Sequence, residues 1–160
     1  MILTFLSVGV LVALDQISKY LATVYLQPVG TLPFIPGVMD LHYILNDGMA
    51  FSMFSGNKFL LIGVTSVALI ALALYLIIKK PSDKLEFISL VLILSGGIGN
   101  LIDRILNGYV VDFFNFTFVN FAVFNVADCF VTCGAVLLVI TFIMQELKER
   151  KTKAANNENK

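Results

Sequence analysis

The run from Phe59 to Ile78 contains no charged residue over twenty positions. A helix of about 20 apolar residues spans the hydrocarbon core of a bilayer, so this run predicts a transmembrane helix. Hydrophobic residues make up 58% of the chain and charged residues 14%, against roughly 45–50% and about 25% in soluble domains. We therefore predict an α-helical integral membrane protein with four transmembrane helices, at about residues 2–25, 59–78, 85–106 and 121–147.

The distribution of basic residues predicts the orientation of these helices. Four spans place both termini on the same side of the membrane. Most Lys and Arg residues lie in the connection 79–84 and the tail 148–160, on that side. By the positive-inside rule this side is the cytoplasm. The connections 27–58 and 107–120 then face outward. We expect one membrane domain over 1–147, followed by a basic, Asn-rich tail whose composition predicts disorder.

The outer connections predict a small extracytoplasmic β-hairpin or sheet. The turn Asn46-Asp47-Gly48 separates the apolar-rich segments 38–45 and 49–54, as in an antiparallel hairpin. In the second connection, aromatic residues alternate with polar ones over 114–118, which indicates a strand-like segment at the headgroup level. A helix is disfavoured at the start of the first connection by five turn-forming residues, Pro28, Gly30, Pro33, Pro36 and Gly37.

Acidic residues gather at one depth of the predicted bundle. With a rise of about 1.5 Å per residue, Asp103 lies about 27 Å, Asp128 about 24 Å and Asp15 about 21 Å from the cytoplasmic end of its helix. The hydrocarbon core is about 30 Å thick. Three helices therefore place carboxyl groups in the outer part of the membrane, where Asp112 and Asn46 of the outer connections can reach them. Charge in such a setting is expensive and indicates a function.

Helical spacing places these polar residues on shared faces. Residues three or four positions apart lie on one side of a helix, and the groups so related are Asn100 with Asp103 and Arg104, Asn125 with Asp128, and Asp15 with Lys19. Gly96, with Gly97 and Gly99, allows a neighbouring backbone to approach closely. Helix packing alone would explain these glycines, but close packing is also what would bring the polar faces together.

Two carboxyl groups held together in a low dielectric share one proton, as in aspartic proteases. The ionised member can take a proton from water, and the protonated member can give one to a leaving amine. Asp15 and Asp103 each have a basic residue within one helical turn, whereas Asp112 and Asp128 have none. By elimination, Asp112 and Asp128 are the better candidates for an acid/base pair. The alternative is a network of buried ion pairs that only locks the helices.

Other functions find less support in the sequence. The single histidine, His42, argues against a Ser-His triad, and we interpret Cys129 and Cys133 as packing residues rather than metal ligands. We expect no metal, no cofactor and, with zero net charge, no nucleic-acid partner. A proton-coupled transporter would need polar residues at several depths to relay protons, and the inner parts of the spans, 59–78, 87–94 and 136–144, carry no charged residue. A purely structural assembly partner would leave the unpaired acids unexplained.

Five sequence pieces together resemble the lipoprotein signal peptidases, the bacterial signal peptidase II family of integral-membrane aspartyl proteases. They come in the order of that family and, with the four spans, cover nearly all of the chain up to Leu147. The pieces are Asp15 to Lys19, Asn46 to Phe51, Gly96 to Arg104, Val111 to Phe113 and Phe124 to Asp128. Each piece is weak alone, and the five in order are specific.

The resemblance implies that Asp112 and Asp128 are the catalytic pair. It implies that the protein cuts signal peptides from diacylglyceryl-modified prolipoproteins, just before the lipidated cysteine, at the outer face of a bacterial cell membrane. It also implies contact with membrane lipid and inhibition by globomycin-type cyclic peptides, and we expect a monomer. Residues matching pocket positions are Asn46, Gly48, Asn100, Arg104 and Asn125, and those matching supporting positions are Asp15, Lys19, Gly96 and Asp103.

Overall fold

A computed structural model describes residues 2–48 and 58–158 of the chain, with side chains described over 4–48 and 58–153. Within these ranges, four helices are long and apolar enough to cross a membrane. The predicted fold class, a four-helix membrane protein with a small antiparallel sheet, is confirmed. The elements are α1 (Ile2–Leu21) with a π-helical turn (Ala22–Leu26), β1 (Thr31–Ile35), β2 (Met39–Asn46), α2 (Lys58–Lys79), α3 (Lys84–Leu106), β3 (Val110–Phe116) and α4 (Val126–Glu158).

Helix α3 lies at the centre of the bundle and packs against α1, α2 and α4. Its small residues allow this close approach. A Cβ atom at Gly96 would overlap the carbonyl oxygen of Ala127 in α4. A Cβ atom at Gly97 would lie 2.5 Å from a methyl group of Leu69 in α2. Small residues at helix contacts are the usual basis of tight packing in membranes, so these two glycines fix α3 between its neighbours.

The sheet is antiparallel in the order β1-β2-β3, with β2 in the middle. Strands β1 and β2 are joined through Gly37, whose φ of 74° lies in the left-handed region that favours glycine. The predicted hairpin about Asp47-Gly48 differs from this arrangement, because β2 pairs with β1 and β3. The proposed second strand of that hairpin, 49–54, lies outside the described residues.

An apolar cluster ties the sheet to α1 and orients β3. The cluster consists of Ala22 and Leu26 from the π-helical turn with Val111 and Phe113 from β3. Burying a side chain such as Leu or Phe contributes about 1.5–3 kcal/mol each. Since successive side chains of a strand point to opposite faces, Asp112 faces away from this cluster, toward α3 and α4.

Helix α4 differs from the prediction at both ends. It begins at Val126 rather than near 121, because the chain before it forms a bridge between Phe124 and Phe114. At the other end the expected disordered tail is helical through Glu158. Glu146 and Arg150 form an i,i+4 ion pair of 2.8 Å there, which supports a surface helix by about 0.3–0.5 kcal/mol. Composition alone does not reveal such ion pairs, and for this reason it predicted disorder in the tail.

Candidate active site

A cavity of about 500 Å³ opens where β3 meets α3 and the start of α4. Two carboxyl groups, those of Asp112 and Asp128, line it. The remaining walls are mostly apolar, so charge in the cavity is held in surroundings of low polarity. The other lining residues are Asn46, Asn100, Arg104, Val110, Phe116, Phe121, Ala122, Val123, Phe124, Cys129, Val131, Thr132 and Cys133.

Asp128 is positioned by the first turn of α4. Its backbone N–H donates to Asn125 Oδ1 at 3.0 Å, and the backbone N–H of Asn125 donates to Asp128 Oδ2 at 3.1 Å. This reciprocal pattern is a capping box, which satisfies free backbone donors at a helix start. The other carboxylate oxygen, Oδ1, accepts a hydrogen bond of 2.8 Å from Asn100 Nδ2. Both oxygens of Asp128 therefore accept N–H groups.

Asp112 is almost fully buried, with 2% of its surface exposed. Asn125 Nδ2 donates to its Oδ1 at 2.6 Å, and Asn46 Nδ2 donates to its Oδ2 at 2.9 Å. Burial raises the pKa of Asp112 from 3.8 to about 6, and the nearby charge of Asp128 adds to this effect. The hydrogen bonds from the two amides act in the opposite direction. Asp112 is thus suited to hold a proton at higher pH than an ordinary carboxyl group.

Asn125 joins the two acids. It is fully buried and contacts Asp112 through its side chain and Asp128 through its backbone. Its Nδ2 also donates to Asn100 Oδ1 at 3.1 Å. The amides of Asn100 and Asn125 therefore form a continuous hydrogen-bonded link between α3, β3 and the start of α4. This link holds the two carboxyl groups in one network.

A second group of buried charges lies behind Asn100. Lys19 Nζ is 2.9 Å from Asp15 Oδ2 and 3.0 Å from Asp103 Oδ2. Asp15 Oδ1 also accepts the backbone N–H of Ala127 at 2.9 Å, which ties α1 to α4. The sequence reasoning missed Gln16, whose Nε2 donates to both Asp15 and Asp103. A polar residue beside Asp15 on an apolar helix was the signal for it.

Arg104 lies at the edge of the cavity, and two of its three guanidinium nitrogens donate hydrogen bonds to described residues. Its NH2 group donates to the carbonyl oxygen of Gly48 at 2.8 Å, and its NH1 group donates to that of Asn100 at 3.4 Å. Its buried Nε has no hydrogen-bond partner within the described residues. Buried donors are normally satisfied, so this N–H is a candidate contact for a bound molecule.

The structure brings most of the predicted site residues together. Asn46, Asn100, Arg104, Asp112 and Asp128 line the cavity, while Asn125 lies behind them. Gly48 contacts Arg104, and Gly96 lies at the contact between α3 and α4. Cys129 and Cys133, which we interpret as packing residues, both lie on the cavity wall. Among the described residues, no group of His, Cys, Asp or Glu has a metal-binding arrangement.

Two solved structures share this fold. One is described as a bacterial membrane enzyme structure obtained by the in meso method at 2.3 Å resolution. It aligns with a TM-score of 0.83 and 28% sequence identity, over 91% of this chain and 90% of that one. The other, at 1.9 Å resolution, aligns with a TM-score of 0.80 and 28% identity over 89% and 93%. The fold and the paired carboxyl groups thus define a membrane enzyme.

Sequence comparison gives the family. A family model described as signal peptidase (SPase) II matches residues 7–144. Lipoprotein signal peptidases of Streptococcus pyogenes serotypes M6 and M5 are each 42% identical to this chain over 142 residues, which is 88% of this chain and 93% of each relative. The chain belongs to the signal peptidase II family and is an aspartic endopeptidase of that type.

Proposed function

We propose that this protein removes signal peptides from diacylglyceryl-modified prolipoproteins by an intramembrane aspartyl mechanism. It would cut just before the lipidated cysteine, at the outer face of the membrane. The observation that carries the proposal is that Asp112 and Asp128 come from separate elements, share Asn125, and open onto one cavity. The relatives named lipoprotein signal peptidases support the substrate class.

In this proposal the two acids divide the proton transfers. The ionised carboxylate takes a proton from a water molecule, and the resulting oxygen attacks the carbonyl carbon of the scissile bond. The protonated carboxyl group gives its proton to the leaving amine, so the pair ends with one proton, as it began. The raised pKa of Asp112, about 6, supports a pair that shares a single proton up to about pH 6.

The groups around the acids suit a peptide substrate that carries lipid. The Nε–H of Arg104, which has no partner among the residues that the structure describes, can bind a backbone carbonyl of the substrate, with the guanidinium held in place by Gly48. Asn46 and Asn100 hold the carboxyl groups in position. Apolar walls near Phe116 and the segment 121–124 suit hydrocarbon chains that enter from the membrane.

We propose that the protein lies in the bacterial cell membrane with both termini in the cytoplasm and the cavity toward the outside. The basic residues near Lys79 and along the end of α4 support the cytoplasmic side. The sheet and the cavity both lie at the other end of the helices, away from these basic residues. We propose further that the enzyme acts as a monomer in contact with membrane lipid, and that globomycin-type cyclic peptides bind the cavity.

The test is cleavage of a diacylated prolipoprotein peptide by the purified protein in detergent. Asp112→Asn and Asp128→Asn should each lower turnover by about 10²- to 10⁴-fold, because each removes one proton transfer. Asp40→Asn is the matched control, because Asp40 is a β2 carboxyl group outside the cavity. It should retain activity, and a globomycin-type peptide should compete with the substrate. Full activity of either catalytic variant would contradict the proposal.

The transporter alternative gains no support from the inner half of the bundle. The buried hydroxyl groups there each donate to a carbonyl of their own helix: Ser89 to Glu86, Ser95 to Val91 and Thr141 to Leu137. A hydroxyl proton held in this way does not link one helix to the next. In that half, Glu86 accepts from Tyr75 of α2 and Gln145 of α4 near the ends of the helices. The interhelical contacts of the four buried aspartates lie around the cavity and behind Asn100.

A further inference from the structure

The orientation of the Asn100 amide is set by groups that can only donate. Lys19 Nζ donates to Asn100 Oδ1 at 2.8 Å, and Asn125 Nδ2 donates to the same oxygen at 3.1 Å. An ammonium group has no acceptor, so a reversed amide would place its N–H groups against Lys19. The amide nitrogen is therefore left to face Asp128, which accepts from it at 2.8 Å.

Lys19 uses its three N–H donors on three different partners. It donates to Asn100, and it forms ion pairs with Asp15 and Asp103. Only 3% of the residue is exposed, so its ammonium group is held on all sides and cannot turn to water. Hydrogen bonds from charged donors are about twice as strong as neutral ones. The contact with Lys19 is therefore the stronger of the two that orient Asn100.

The other two amides around the acids are oriented in the same way. The backbone N–H of Asp128 donates to Asn125 Oδ1 at 3.0 Å, and that of Gly48 donates to Asn46 Oδ1 at 2.9 Å. Each amide thus turns only N–H groups toward the carboxyl groups. A proton on either acid consequently finds no acceptor among these amides and is directed into the cavity.

Asp128 is the member of the pair that this arrangement favours as an anion. It lies in the first turn of α4, where the partial positive charge of the helix N-terminus stabilises a carboxylate. It accepts one backbone N–H and one N–H from the amide that Lys19 orients. Asp112 lies in a strand, has no helix N-terminus, and accepts only from side-chain amides among its described contacts.

We propose that Lys19 is a positioning residue for this reaction. It holds the Asn100 amide with its N–H toward Asp128, so that Asp128 acts as the ionised member and Asp112 carries the proton. This inference rests on the proposed function and deepens it. The charged and titratable groups that face the pair are Lys19 and Asp15 on α1, Asp103 and Arg104 on α3, and Cys129 on α4.

The experiment compares the pH dependence of kcat/KM in three variants, using the diacylated peptide in detergent. Lys19→Met with Asp103→Asn removes the contact with Asn100 but keeps the net charge of the cluster, since it deletes one positive and one negative group. Asp103→Asn alone retains Lys19 and its contact with Asn100. Gln16→Leu loosens the same helix contact without touching Asn100, because Gln16 donates only to Asp15, Asp103 and Gly99 among its described bonds.

We expect the acidic limb of the profile to move up by about one pH unit in the double variant, which is about a 10-fold loss of kcat/KM below that limb. Gln16→Leu should lower thermal stability without moving the limb. Asp103→Asn adds one net positive charge and should leave the limb in place or move it down, opposite to the double variant. A folded double variant with an unmoved limb, or an equal shift in the Asp103→Asn control, would overturn the inference.

A second variant covers the case in which the double variant does not fold. Asn100→Asp keeps an acceptor for Lys19 but presents an oxygen, not an N–H, to Asp128. The limb should move in the same direction, and an unmoved limb overturns the inference. Failure of the proposed function is distinguishable, because Asp128→Asn would then remain active. If Asp128→Asn is inactive while the Lys19 profile is unchanged, only the positioning role fails.

Discussion

Asn100 links two pairs of acids, and the two pairs differ in the donors from which their oxygens accept hydrogen bonds. Asp15 and Asp103 share the ammonium group of Lys19. Asp112 and Asp128 accept hydrogen bonds from neutral amide and backbone N–H groups in their described contacts. The first pair has a compensating charge, whereas the second leaves its charge available to a bound molecule.

Within one buried region, the ion-paired acids therefore contribute to folding stability, and the other two are available for chemistry. Removing one partner of a buried ion pair leaves an uncompensated buried charge, so the first pair stabilises the folded protein only while all its partners remain. The pKa of a buried carboxyl group whose hydrogen-bond donors are neutral can change during a reaction. The supporting cluster therefore lies between α1 and α3, and the two proposed reacting acids lie on β3 and α4. Asn100 of α3 links the two groups.

The largest effect should come from removing an acid of the supporting pair. Asp15→Ala leaves Lys19 with one carboxylate and leaves the buried N–H of Ala127 without its acceptor. Breaking a buried ion pair in this way costs about 3–5 kcal/mol, measured as thermal or denaturant unfolding in detergent. Glu146→Ala removes an acid from the exposed pair with Arg150 and should change stability little. Equal losses in both variants would contradict the comparison.

The second effect is a dependence of folding stability on pH, which comes from Asp112 of the proposed catalytic pair. Asp112 has a pKa of about 6 in the folded protein, against 3.8 for an ordinary aspartate. The folded state therefore binds more protons between these values, and its stability falls as the pH rises from about 4 to 6. Because one pKa unit corresponds to about 1.4 kcal/mol, Asp112→Asn should gain about 2 kcal/mol relative to the unsubstituted protein between pH 4 and pH 7.

Unfolding of the two proteins at both pH values measures this change. The absolute stability of Asp112→Asn also contains the cost of an added N–H group facing Asn46 or Asn125, but that cost does not depend on pH. A difference that stays constant from pH 4 to pH 7 would show that Asp112 titrates as an ordinary aspartate.

The smallest effect concerns the packing that holds the supporting pair against α4. A Cβ atom at Gly99 would overlap the Asp15 carboxylate and lie 3.5 Å from the Cβ atom of Ala127. Gly99→Ala should therefore cost about 1–3 kcal/mol of stability. Gly63→Ala is the matched control, because no atom lies within 4 Å of the added methyl group in α2. It should leave stability unchanged or raise it by up to about 1 kcal/mol, and a similar loss in both variants would contradict the packing argument.

The spans were predictable because they depend on local composition. The predicted helices 59–78 and 85–106 agree with Lys58–Lys79 and Lys84–Leu106 to within a residue at each end. Lysines bound the first run and begin the second, and Asn107-Gly108 ends the second. The sheet was only partly predictable. Its middle strand pairs with β3, more than sixty positions away at Ile44 and Asp112, and no local pattern specifies such a partner.

For the site, the positions of the acids along three predicted helices were enough to place them at one depth in the membrane. Eliminating the acids with basic neighbours left Asp112 and Asp128, which line the same cavity. The sequence did not indicate that Lys19 contacts Asn100 or that Asn125 joins the two acids. These contacts depend on the rotation of the packed helices, which a helical repeat leaves undetermined. The place of Cys129 on the cavity wall was not predictable for the same reason, because its position one residue after Asp128 gives no indication of the cavity.

The first turn of α4 also bears on how the protein is made. The hydrogen bonds between Asn125 and Asp128 that begin this helix are the ones that seat the second acid. Lys19, Asn100 and Asp112 precede this turn in the chain and leave the ribosome earlier. The proposed catalytic site is therefore incomplete until the last span has been synthesised and has docked on α3. If Asp112 and Asp128 are the catalytic pair, as proposed, the nascent chain is inactive as a protease until that step.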